Sequence, residues 1–201
     1  MKFVYDLRVT KKRSRPYVKA ARAQSEAETR NRIVEALVAL HEEIGPARTT
    51  VKAVAERAGV QRLTVYRHFA DELEMISACS ARWQERVPFP DLSAITATDP
   101  RQRTRQILLA LYRYYRQGEQ MLSKVHADAP HVAAVRNVVS VFDAHLDALV
   151  AEMERGWRGR SAARRMTLRH AVAFTTWHSL SPLASGDDAA VDLVMRWLDC
   201  V

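Results

Sequence analysis

The sequence has 201 residues and a formal net charge of +8, long enough to bury a substantial core without crosslinks, as one large or two small domains. No stretch approaches the ~18 apolar residues of a bilayer span, the polar and basic N-terminus lacks the apolar core of a secretory signal, and Cys79 and Cys200 stand too far apart to suggest a disulfide framework or a cysteine zinc site. A cytoplasmic protein with reduced thiols is expected, and its excess charge lies at one end: residues 1–70 hold 15 Lys and Arg against 7 Asp and Glu, while residues 71–201 hold 16 of each.

Residues 1–24 contain Lys2, Arg8, Lys11, Lys12, Arg13, Arg15, Lys19 and Arg22 with Asp6 the only acid, and Pro16 interrupts a continuous helix. The expectation is a flexible basic arm, able to track phosphates or enter a minor groove and equally able to serve only as a solubilising tail. From about Glu26 to Ile44 an apolar stripe of Ile33, Leu37, Leu40 and Ile44 predicts the first helix, which Gly45-Pro46 stops.

The next segment carries the most information. Val51, Val54, Ala55 and Ala58 fall at i, i+3, i+4 and i+7, giving one apolar face, and Thr50 is placed to cap that helix. Gly59 follows the last periodic residue, where a left-handed turn is cheapest without Cβ. A second helix from about Gln61 to His68 turns Val65 and Phe69 inward and leaves Arg62, Thr64, Tyr66 and Arg67 outside, groups that suit phosphates and base edges. Two short helices about a glycine are the pattern of a DNA-reading helix-turn-helix; spacing alone also allows an ordinary helical hairpin. The coincidence of the excess positive charge with this motif favours a polyanion partner over a generally solvated surface.

Asp71 with Glu74 marks the start of a fourth helix running towards Trp83 and Arg86, which Pro88 and Pro90 end. An irregular connection of residues 87–100 leads to helices expected at about Arg101–His126, Val132–Trp157, Ala162–Leu183 and Asp187–Leu198. No strand pattern or internal repeat appears, so the fold class is all-α: an N-terminal three-helix DNA-binding domain at residues 25–70 and a C-terminal helical bundle at 71–201.

The run from Thr50 to Phe69, with Val51, Val54-Ala55, Ala58-Gly59-Val60 and Thr64-Val-Tyr-Arg-His-Phe69, closely resembles the N-terminal domain of the TetR family of bacterial transcriptional regulators. The clearest resemblance covers residues 27–80; Ala78–Trp83 and Phe174–Leu180 are also similar to members. It implies that the Gln61–His68 helix enters the major groove, with Arg62, Leu63 and Tyr66 at base edges, Thr50, Thr64 and His68 on phosphates, and Lys52 on either. Exposure adds Arg67. The chain departs from the family at Ala70-Asp-Glu-Leu73, where Glu72 replaces a lysine that usually meets a phosphate, a loss for which the basic arm would compensate.

The resemblance further implies a homodimer on a palindromic double-stranded operator, with Phe174, Trp177, Leu180, Val191, Val194, Met195 and Leu198 at the centre of the subunit interface, unless that stripe packs only within one subunit. It also implies a small-molecule effector in the C-terminal domain. Candidate lining is Trp83, Tyr112, Tyr115, Met121, His126, Phe142, Phe174, Trp177 and His178, residue types that equally fill an ordinary helical core. His126, His131, His145, His170 and His178 form no HExxH-like pattern, so no metal and no cofactor is expected. No GxSxG elbow, phosphate loop or GxGxxG turn supports enzyme chemistry. The reading is a DNA-binding repressor released by an effector; a ligand-independent or protein-gated regulator of the same fold is the alternative, and a helical small-molecule enzyme or carrier is more distant.

Overall fold

Helix α1 (Arg15–Ile44) begins well before the apolar stripe that marks it, in a computed structural model that describes residues 15–159 and 161–201. Pro16 lies in the helix next to Arg15, the first described residue. The basic arm expected over residues 1–24 is thus helical from Arg15 onward, and Lys2, Arg8, Lys11, Lys12 and Arg13 lie outside the described residues. Positions 19–28 of α1 are exposed, whereas Ile33, Val34, Leu37, Val38 and Leu40 are buried, which makes the second half of α1 the post around which the headpiece assembles.

Gly45, at φ 84°, ends α1, and a single 3-10 turn at Pro46–Arg48 carries the chain to α2 (Val51–Ala58). The chain then forms α3 (Arg62–His68) and α4 (Glu72–Arg86). Asp71 accepts from Glu74 N–H at 2.8 Å while Glu74 accepts from Ala70 N–H at 2.9 Å, a variant of the capping box in which the return bond falls one residue before the N-cap. Along α4, Cys79 and Trp83 are buried, and Arg82 and Arg86 both pair with Glu35 of α1. One hydrophobic core therefore runs from the headpiece into the body without a gap.

The body is built on α5 (Pro100–Asp128), against which α6 (Ala133–Arg155), α8 (Phe174–Leu180) and α9 (Asp187–Asp199) pack, with α7 (Ala162–Ala171) between α6 and α9. The irregular connection holds one 3-10 turn at Leu92–Ala94. Arg101, Arg105 and Arg116 of α5 pair with Asp199, with Asp188 and Asp192, and with Asp187 of α9. The Asp199, Asp188 and Asp192 pairs lie largely in solvent and are worth about 0–1 kcal/mol each, whereas the Asp187 side chain is mostly buried and also accepts from Trp177 Nε1 at 3.0 Å.

The helix expected over Ala162–Leu183 is broken at Val172–Ala173. Its freed carbonyls have found other donors: the Tyr112 hydroxyl donates to Ala171 O at 3.0 Å, the Tyr115 hydroxyl to Val172 O at 2.6 Å, and Thr176 Oγ1 to His170 O at 2.6 Å. Carbonyls satisfied from outside have no need of the next turn's amides. The stripe expected at a dimer interface packs within the protomer to a large extent. Phe174, Trp177, Val191, Val194, Met195 and Leu198 are buried within one protomer, in the core that α5 shares, and Leu180 is half-buried.

Candidate nucleic-acid interface

Helix α2 is shaped by its two ends. Thr50 Oγ1 accepts from Ala53 N–H at 3.1 Å, a cap worth about 1 kcal/mol. At the other end Gly59 is left-handed (φ 65°, ψ 41°), and its N–H donates to Glu56 O at 3.2 Å while Val60 N–H donates to Ala55 O at 2.9 Å. These are the two bonds of a Schellman turn. Arg32 of α1 donates to Ala58 O at 3.1 Å, so the turn into α3 is clamped from the post of the headpiece. Arg57 adds a two-pronged pair to Glu43 of α1 at 2.7 and 2.8 Å. Nothing local in the sequence singles out Arg32, because its partner is a backbone carbonyl.

Helix α3 is anchored by Val65 and its following Phe69, 0% and 1% exposed. Burying two such side chains contributes roughly 1.5–3 kcal/mol each and fixes the rotation of the helix about its axis. Arg30 lies over the Phe69 ring at 4.7 Å. That rotation brings Arg62, Leu63, Tyr66 and Arg67 to one outer face, with Leu63 68% and Tyr66 59% exposed. Thr64 and His68 flank this face, half-buried. Two large apolar side chains one turn apart in solvent, framed by two guanidiniums, match a groove offering methyl groups and acceptors.

Thr50 and Lys52 sit at the N-terminal end of α2 on the same side. Lys52 lies 3.8 Å from Glu56, an exposed pair too weak to withhold the ammonium from a phosphate. Glu72 is exposed at the start of α4 beside the capping Asp71. The DNA-side candidates are therefore brought together at one end of the molecule, with an acidic spot at the edge.

The effector candidates are placed differently. Tyr112, Tyr115, Phe174 and Trp177 are buried, and Tyr115 meets Phe174 edge-on at 5.6 Å. Burial pushes the Tyr112 and Tyr115 hydroxyls far above the ordinary phenol value, in keeping with their role as donors to backbone. Trp83 fills the space over Gly118 of α5, and Met121 is buried in the same core. Phe142 is half-buried against Tyr114 and Phe89. His126 and His178 both stack on the Phe174 ring, at 4.8 and 5.3 Å. These side chains fill one another's space as core does. Two cavities lie elsewhere: an open groove of about 360 Å³ between residues 91–96 and α5, and one of about 270 Å³ inside the headpiece.

Reading the sequence alone also passed over His41. It lies on the inner face of α1, four residues after Leu37, with Nδ1 3.2 Å from Cys79 Sγ. Burial lowers its pKa to about 4, partly opposed by Asp128, and pushes the Cys79 thiol up to about 12. Both are neutral, and Cys79 is no thiolate nucleophile. Its position in an apolar stripe was the available signal. Among the described residues no cluster of His, Cys, Asp or Glu could hold a metal ion, and no helix is long and apolar enough to cross a membrane.

Residues 33–79 match the family model of bacterial regulatory proteins, tetR family. No curated protein matches the sequence. Among solved structures, a transcriptional regulator from Rhodococcus sp. Rha1 is similar over 86% of this chain and 95% of its own, at 16% identity and TM-score 0.61. A TetR transcription regulator from Haloarcula marismortui is similar over 86% and 95%, at 15% identity and TM-score 0.60. The multidrug binding protein EbrR, complexed with imidazole, is similar over 84% and 88%, at 22% identity and TM-score 0.58. At such identities the structures establish a shared fold, and the matched residues span α2, α3 and the inner half of α1.

Proposed function

We propose that the chain is a member of the tetR family of bacterial regulatory proteins, whose model its residues 33–79 match, and that it is a sequence-specific repressor that binds a palindromic operator as a homodimer and is released by a small molecule. The observation that carries the DNA reading is the split character of α3: buried Val65 on one side, exposed Arg62, Leu63, Tyr66 and Arg67 on the other. The two guanidiniums are suited to guanine O6 and N7, a good bidentate pair giving about 1–3 kcal/mol of discrimination. Thr50, Lys52, Thr64 and His68 take phosphates around them. A headpiece of residues 25–70 reads few base pairs, so a two-fold partner supplies the rest of the specificity, docked through the body of residues 71–201.

Effector release draws support from the family and from the likeness to EbrR, a multidrug binding protein. The close packing of Tyr115, Phe174 and Trp177 favours a second reading of the gate, in which a protein partner or a ligand outside this aromatic cluster shifts the headpiece.

Selection of bound sequences from a random duplex pool, at two salt concentrations and with Arg62→Ala and Tyr66→Ala alongside the parent, tests the reading. A palindrome that both substitutions weaken is the expected result. Binding that is only salt-sensitive and independent of sequence would overturn it.

A further inference from the structure

The headpiece cavity of about 270 Å³ lies among α1, α2, the end of α3 and α4. Its floor is made by Val54, Phe69 and His41, all nearly inaccessible to solvent, and its sides by Met75 and Ile76 of α4. Thr50 and Tyr66 stand at its mouth, and both are exposed. The hollow thus opens between two residues of the DNA-side face.

Size and chemistry narrow what fits. A volume near nine waters, at about 30 Å³ each, is too small for a drug-sized ligand and ample for one six-membered ring with a single substituent. Tyr66 and the Met75 thioether are surfaces on which an aromatic ring packs well. His41 lines the cavity, and with Nδ1 3.2 Å from Cys79 Sγ, Nε2 is the imidazole nitrogen left uncommitted. A neutral imidazole nitrogen pairs with a hydroxyl. Asp71 and Glu72 at the rim oppose a carboxylate.

We propose that this cavity binds a small uncharged single-ring aromatic molecule bearing one hydroxyl, its ring between Tyr66 and Met75 and its hydroxyl on His41. Occupation props the Tyr66 ring and fills the space behind Thr50, so the ligand and DNA compete; that consequence, unlike the site itself, rests on the DNA reading above. Regulation would then act inside the headpiece, with no need to transmit a change from the body.

The full chain, labelled with ¹³C at Met and Ile methyls and free of DNA, is titrated with phenol and separately with benzoate. Phenol shifts the Met75 and Ile76 methyls saturably, and benzoate at equal concentration leaves them in place. Val51→Phe and Met75→Phe each fill the cavity from a different side, and whichever folds weakens phenol binding at least tenfold, read at Ile76. Absence of saturation, equal response to benzoate, undiminished binding in a folded filled variant, or shifts confined to methyls of the body would each overturn the site. In a separate arm, phenol at ten times its own Kd raises the apparent operator Kd about tenfold for exclusive binding. An unchanged operator Kd refutes competition, whereas lack of any operator binding refutes the DNA reading and leaves the methyl titration standing.

Discussion

Asp128, in the last turn of α5, accepts a hydrogen bond from Ala47 N–H at 2.8 Å, and the same oxygen lies 2.7 Å from where a Cβ on Gly45 would stand. The body thus grips the turn that feeds α2. Gly45→Ala meets two penalties, a left-handed φ of 84° and a collision with Asp128, and is expected to lose about 1–3 kcal/mol. Asp128→Ala loses one charge-assisted bond to an exposed amide, about 1 kcal/mol. Urea unfolding of both single variants and the double variant should show non-additivity, because Asp128→Ala removes the collision but not the strain. Simple additivity would separate the two residues energetically.

Exposure and burial on α3 should separate stability from binding. Leu63→Ala and Tyr66→Ala are expected to leave the urea midpoint within about 0.5 kcal/mol of the parent while lowering operator affinity measured by fluorescence anisotropy. Val65→Ala, at a position with no exposed area, is expected to cost about 1–3 kcal/mol of stability. A destabilised Leu63→Ala would mean that its side chain packs inward.

At Gly118 two effects oppose each other. Alanine gains about 1 kcal/mol of helix propensity, but its Cβ would lie 2.7 Å from Trp83 Cζ2, an overpacking that costs about 1–3 kcal/mol. The collision is expected to win, with a net loss of up to about 2 kcal/mol. In a Trp83→Leu background the same Gly118→Ala change should be neutral or stabilising, and thermal melts of the four proteins check this.

His41 predicts a pH dependence. Its folded pKa is about 4 against an ordinary 6.5, so between those values the unfolded chain binds the extra proton. Stability therefore rises with pH through this window and falls as pH drops from 6.5 towards 4, by on the order of 3 kcal/mol. Asp128 and Cys79 face the ring, and Asp128 alone favours its charged form. Urea unfolding of the parent and of His41→Gln across pH 4–7 isolates the contribution: the variant should lack this part of the slope, and parallel curves would refute the assignment.

The headpiece was legible because its signals are local. Thr50 caps three residues ahead, Gly59 needs no Cβ where the chain turns left-handed, and the apolar spacings of α2 and α3 point to one interior. The same spacings in Phe174, Trp177, Val191 and Val194 declared a buried face but not its owner, and α5 of the same protomer is what covers it. The break at Val172–Ala173 was out of reach, because the groups that end α7 are hydroxyls of Tyr112 and Tyr115, far away in sequence.

The two tyrosine hydroxyls also set a length. Unbroken, residues 162–183 would form a rod of about 33 Å, longer than either α7 or α8 by a wide margin. Broken at Val172–Ala173, the same chain lays α8 against α5. Two phenolic oxygens on one helix thereby act as a gauge for the reach of another, and the outline of the body is written in their spacing.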